Sequence, residues 1–309
     1  MQVALCLLIG SLAAPVIRAA DPASAPGAPR TSAKILTVGN SFADNAATFL
    51  PDLAKAGGKQ LICYRADLPG HSLKQHAGYI EAYEANPGDP KGSPYKNEVT
   101  TKTLGDGWWG CQANPSALQK SNCSLQEMLG CEPWDYVTIQ QFSGESFKPE
   151  SYEPYAKTIV DCIRKNALKA EILVLETWAY PDDYYDKFHY TDAEKASDNP
   201  GKNPKAMYTC LKAAYGKLAH DMGGLRTIPI GDAFQAVRTL PNTFSINRPN
   251  DKHANEAGQY LGGCVLYEVI YGESVENNSF VPKNMPPEQA KLLRQIAHQA
   301  VAARKTVTP

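Results

Sequence analysis

Five short runs rich in β-branched and aliphatic residues, spaced so that helix-length segments fit between them, constrain this chain most. They fall at residues 34–38, 60–66, 134–139, 171–178 and 227–230. Between them, residues 152–168 and 205–222 place apolar side chains at helical spacing, the second segment closed by Gly223-Gly224. Strands alternating with helices of this length connect through right-handed crossovers, and the expected product is a parallel sheet covered on both faces. Two further helices are expected, an apolar one ending at Gly272 and a last one over 286–304 with proline at its start.

The first strand run continues into Gly39-Asn40-Ser41-Phe42 and a helical stretch ending at Gly57-Gly58, which Pro51 kinks or restarts. Serine at a helix entrance has two uses. It can cap the helix, or its hydroxyl can act as a nucleophile beside first-turn amides that stabilise a developing oxyanion. A partner histidine decides between them. His253 meets the requirement: it follows the acid Asp251, after a proline-containing loop and before the apolar C-terminal helix.

Other strand ends supply donors. Gly70 follows the second run, where a glycine can turn its amide inward. Gln140 and Gln141 end the third, each able to donate to an oxyanion or to bond the backbone. Trp178 and Tyr180, after the fourth, are candidate faces for stacking a sugar. His71 and His76 read as surface or helix residues, and the Asp- and Tyr-rich stretch 180–190 reads as a solvated loop, not a metal site.

Composition narrows the partners. Thirty-one basic against 32 acidic residues leave a net charge of −1 with no basic stripe, which gives nucleic acid or an anionic membrane no electrostatic support. An apolar run within residues 1–20 is too short to span a bilayer and reads as a signal peptide, followed by an Ala/Pro/Ser-rich leader over 21–33. The domain is expected over 34–309. Within it, 86–131 reads as a loop-rich insertion holding Trp108-Trp109 and Cys111, Cys123 and Cys131, a stretch suited to disulfides in an exported protein and short of a zinc pattern.

With these pieces placed, the sequence resembles the SGNH, or GDSL-like, hydrolase superfamily, in a branch whose first block is Gly-Asn-Ser-Phe, over about residues 34–272. The resemblance implies a three-layer α/β/α flavodoxin-like fold, the nucleophile on Ser41, the oxyanion glycine on Gly70, the histidine on His253 and no cofactor. The family's further oxyanion donor is assigned to Gln141. Its acid stands three residues before the histidine, where this chain has Asn250; Asp251, two residues before, is assigned instead, with a backbone carbonyl as the alternative orienter of the ring. The expected activity is that of an exported esterase on O-acyl, chiefly O-acetyl, esters of a small molecule or carbohydrate. The alternatives are a carbohydrate-binding protein of weak activity and an O-acyltransferase.

Overall fold

The computed structural model describes residues 29–96, 122–241 and 244–305. The expected signal peptide, Trp108-Trp109 and Cys111 lie outside these residues. Strands β1 (Ser32–Gly39), β2 (Gln60–Asp67), β5 (Tyr136–Ile139), β6 (Glu171–Leu175) and β7 (Arg226–Ile228) form one sheet in the order β2-β1-β5-β6-β7, every pairing parallel. Strands β3 (Tyr95–Lys96) and β4 (Asn122–Cys123) form a separate antiparallel pair. Ile35, Leu36, Val38, Val137, Ile139, Leu173, Val174 and Leu175 are all fully buried, as strands covered on both faces require.

The strand order reverses direction between β1 and β5. In open parallel sheets the crevice outside the carboxyl ends at such a reversal is where ligands bind, and Ser41 stands two residues beyond the end of β1. Helices α1 (Ser41–Ala47) and α2 (Leu50–Ala56) follow β1, and α3 (Leu73–Ala85) follows β2. Next come α4 (Leu125–Gly130), α5 (Tyr155–Asn166), α6 (Asp182–Asp186), α7 (Asp192–Lys195), α8 (Pro204–Asp221), α9 (Ile230–Arg238), α10 (Glu256–Tyr271) and α11 (Pro287–Lys305). Helix α10 packs on α1, α2, α9 and α11, while α3, α4 and α5 pack on one another, giving the two helical layers of an α/β/α fold.

Helix α10 is buried from Ala257 to Tyr271 and comes very close to α1. A Cβ on Gly262 would lie 2.8 Å from the Ala46 Cα, so only glycine permits this approach. The contact draws the residues just before α10, including His253, towards the entrance of α1.

The helical stretch after Ser41 is restarted at Pro51 as expected: the proline sits in the first turn of α2, and its ring would clash with the carbonyl four residues back, where α1 ends. Several other expectations change in detail. Leu168 lies beyond the end of α5 and is 85% exposed, not on a core face. The leader is tied down earlier than expected: Ser32 already pairs with Gln60, and Arg30 bonds Asp135 at 2.7 Å. The insertion also ends earlier, since Leu125, Met128 and Leu129 of α4 are core residues. No disulfide joins two of the described cysteines. No helix among the described residues is long and apolar enough to cross a membrane.

Candidate active site

The turn after β1 is held by Asn40. Its side-chain oxygen accepts from the Phe42 amide at 3.0 Å, its side-chain nitrogen donates to the His71 carbonyl at 2.8 Å, and its own amide donates to Gln140 Oε1 at 3.0 Å. Asn40, not Ser41, is therefore the cap of α1. The serine hydroxyl is released from that duty and lies 3.0 Å from His253 Nε2.

Behind the imidazole stands Asp251. His253 Nδ1 lies 2.9 and 3.1 Å from its two carboxylate oxygens, and the His253 amide donates to the same group at 3.3 Å. A carboxylate only accepts, so the ring proton sits on Nδ1 and the Nε2 lone pair faces the serine. Burial raises the Asp251 pKa, but the hydrogen bonds from the His253 ring, its amide and the Lys252 amide outweigh it and hold the carboxyl below its ordinary value. Asp251 is ionised at neutral pH.

The loop carrying these residues is fixed at many points. Arg248 donates its amide to the His253 carbonyl at 2.9 Å, Ala254 donates to Asn45 Oδ1 of α1 at 3.0 Å, and Asn247 pairs with Ala254 in a β-bridge. Asn250 adopts a left-handed conformation with φ of 52°, which asparagine tolerates better than most residues, and its amide donates to Asp183 Oδ2 at 2.9 Å. The turn leaves Asp251 facing the ring, although it is one residue nearer in sequence than in the SGNH pattern the sequence resembles.

Gly70 has φ of +71°, and nothing lies within 4 Å of where its Cβ would stand, so conformation rather than space calls for glycine. Its loop is held to the nucleophile turn by the Leu68 amide on the Gly39 carbonyl, 3.0 Å, and by the Asn40 bond to His71.

Three expected site residues serve other purposes. Gln141 is fully buried; its oxygen accepts from the Leu73 and Phe142 amides at 3.0 and 2.8 Å, and its nitrogen donates to the Ser151 carbonyl and hydroxyl at 2.9 and 3.0 Å. Its donors are spent on the scaffold, so it is corrected from oxyanion donor to loop anchor. Trp178 is fully buried in a stack between Phe42, 4.3 Å, and Phe234, 4.4 Å, and its indole nitrogen donates to the Lys252 carbonyl at 2.9 Å. It supports the histidine loop and has no face for a sugar. Tyr180 is also buried, with its hydroxyl 3.0 Å from Ser143 Oγ and Tyr184 tilted against its ring at 4.5 Å.

His76, expected on a surface or helix, lies on α3 but is entirely buried beneath the nucleophile turn. Its Nε2 donates to the Gly39 carbonyl at 2.9 Å and its Nδ1 lies 2.7 Å from the Tyr95 hydroxyl, so a neutral ring has both nitrogens satisfied, with the hydroxyl donating to Nδ1. Burial pushes its pKa down to about 4, against a partial rise from the Gly39 bond. Between pH 6.5 and about 4 the unfolded chain binds a proton that the folded chain refuses. Stability from this residue is thus complete above pH 6.5 and lost as pH falls towards 4, by roughly 3 kcal/mol. Urea midpoints of wild type and His76→Gln across this interval are expected to show a shallower acid loss in the variant.

Among the described residues no group of three His, Cys, Asp or Glu side chains is arranged to hold a metal ion.

Comparison with solved structures finds similar chains. A DUF4886 family protein from Bacteroides uniformis is 24% identical, with a TM-score of 0.68 over 88% of this chain and 95% of that one. A lipase/acylhydrolase from Enterococcus faecalis is 13% identical, with a TM-score of 0.43 over 78% of this chain and 96% of that one. The psychrotrophic esterase EstA from Pseudoalteromonas is 11% identical, with a TM-score of 0.40 over 77% and 96%. At 24% identity the likeness to the Bacteroides protein is one of fold alone. No curated protein matches the sequence. The profile described as "Domain of unknown function (DUF4886)" matches residues 115–300, more than half of the chain, and the chain belongs to that family.

Proposed function

We propose that this protein is a serine esterase of the SGNH type, exported from the cell, that removes O-acyl groups, chiefly O-acetyl, from a carbohydrate. The observation that carries the reading is the hydrogen-bonded chain from Ser41 Oγ through the His253 ring to the Asp251 carboxylate. Export rests on residues 1–20 of the sequence, and the carbohydrate on the family resemblance. With Trp178 and Tyr180 buried, the exposed aromatic surface near this end of the sheet is Phe188, stacked on Tyr190 at 5.6 Å.

In the first half-reaction Ser41 Oγ attacks the ester carbonyl carbon while its proton passes to His253 Nε2. Asp251 stabilises the imidazolium that results. The negative charge on the former carbonyl oxygen falls to backbone amides. Ser41 is the first residue of α1, so its N–H has no acceptor within the helix, and the Gly70 N–H is the second donor. Collapse of the tetrahedral intermediate breaks the bond to the alcohol oxygen, which takes the proton from His253. Water, deprotonated by the same nitrogen, then attacks the acyl group on Ser41 and releases the carboxylic acid. An acyltransferase would admit a second alcohol at this step in place of water.

The deciding experiment is intact-mass analysis after exposure to a fluorophosphonate, with the modified peptide mapped. A single adduct on Ser41, absent in folded His253→Ala, is the expected result. A folded wild-type protein that takes up no label would remove the esterase reading and favour carbohydrate binding without turnover.

A further inference from the structure

Lys252 stands between the two residues of the acid-histidine pair, yet nothing in the mechanism above uses it. Its carbonyl accepts from Trp178 Nε1 at 2.9 Å and from Asn247 Nδ2 at 3.1 Å, so its backbone is fixed. Its side chain runs over the carboxyl ends of the strands. Nζ lies 5.0 Å from the centre of the Phe142 ring, beyond β5, and 5.5 Å from that of Tyr180, beyond β6. This is the same end of the sheet from which Ser41 projects, beyond β1.

The ammonium is half-buried and, among the described residues, makes no hydrogen bond or ion pair. Ring faces attract a cation without using up its charge, and the three N–H donors can still turn to an incoming anion. The neighbouring carboxylate, Asp251, is engaged by His253. A second cation adds to the positive field: Lys187 Nζ lies 3.7 Å from the centre of the Tyr184 ring, which leans on Tyr180. Burial lowers the Lys252 pKa, Asp251 opposes that shift and Lys187 adds to it. A surface lysine would be solvated by water on all sides. This one is held by two aromatic rings beside the reacting pair, and no carboxylate of the described residues pairs with it.

We propose that Lys252 Nζ binds a carboxylate carried by the substrate, so that the enzyme selects acidic esters over neutral ones of the same size. The inference rests on the esterase reading and deepens it. A carboxylate could reach the ammonium from the acyl part or from the alcohol part of the ester, and matched substrates separate the two. The preference belongs to the side chain of Lys252, with Lys187 adding to it through the field alone.

The test compares kcat/KM for two pairs matched in size: 4-nitrophenyl 4-oxopentanoate against mono-4-nitrophenyl succinate, with the charge on the acyl side, and 3-acetylphenyl acetate against 3-acetoxybenzoate, with the charge on the alcohol side. In one pair the wild type is expected to favour the anion at least tenfold, as a charge-assisted hydrogen bond provides. In Lys252→Gln that ratio falls to near one, and in Lys252→Arg most of it is kept. The ratio cancels any general loss from disturbing the histidine loop. Ser41-dependent hydrolysis with no preference in either pair, or with the same preference in Lys252→Gln, overturns the inference and leaves the esterase reading standing. Absence of Ser41-dependent hydrolysis in all four substrates overturns both.

Discussion

Ser41→Ala is expected to lower kcat/KM for 4-nitrophenyl acetate by about 10⁴-fold or more while leaving thermal stability nearly unchanged. The two halves of this result come from different atoms. The activity is lost with Oγ, which lies 3.0 Å from the His253 ring and has no replacement in alanine. The stability is kept because the cap of α1 is the Asn40 side chain, bonded to the Phe42 amide. Had serine been the cap, its removal would cost about 1 kcal/mol. Asn40→Ala supplies the contrast, since it removes the cap and the bond to the Gly70 loop together and is expected to reduce both stability and turnover. Steady-state kinetics beside a thermal melt measures both quantities, and a Ser41→Ala protein retaining a tenth of wild-type activity would end the nucleophile assignment.

The parts of this fold that could be read from sequence are those decided by local chemistry. Apolar runs such as Lys34 to Val38 have few places to go except a covered sheet, and their alternation with helices fixes parallel pairing. Ser41 and His253 were legible because each stands at a helix entrance in a distinctive local setting, although 212 positions separate them and only the packing of α10 on α1 brings them together. The cap was in view too: asparagine directly before the serine is itself a preferred capping residue.

Burial was not legible. Gln141 carries the same two donors whether it faces substrate or Ser151, and its sequence neighbourhood does not distinguish those ends. Trp178 stands three residues beyond a strand whose Ile172 to Leu175 run is apolar throughout, with no alternation to reveal which way the side chains after it point. Helix α9 has no clear signal in the sequence because Gly231 stands in its first turn, where glycine argues against helix. The glycine is there for contact: a Cβ would come within 2.3 Å of the Thr177 carbonyl oxygen. Beside that contact, Glu176 at the end of β6 bonds the Asp232 amide at 3.0 Å and pairs with Arg304 of α11, a buried link between segments far apart in sequence. Such long-range partners leave no local pattern.

The acid of the site yields the other large effect. Asp251→Asn is expected to reduce kcat/KM by about 10³ to 10⁴-fold, because an amide can present a donor to Nδ1, stabilise the wrong tautomer and offer no charge to the imidazolium. The lower end of that interval is the better expectation, since the Asp251 side chain is 35% exposed and water can partly replace its oxygens. Adding Asn250→Asp installs the three-residue spacing of the SGNH pattern that the sequence resembles, and that double variant tests whether spacing or geometry decides. Geometry predicts no recovery beyond tenfold. Residue 250 is held in a left-handed turn by the Asp183 carboxylate on its amide, while the hydrogen bonds to the ring run to residue 251. A new carboxylate at 250 would also stand near Asp183 and repel it, loosening the turn that aims Asp251. Recovery to wild-type rates in the double variant would instead show a loop free enough to present either residue, and the orienting role would then belong to the position three before the histidine.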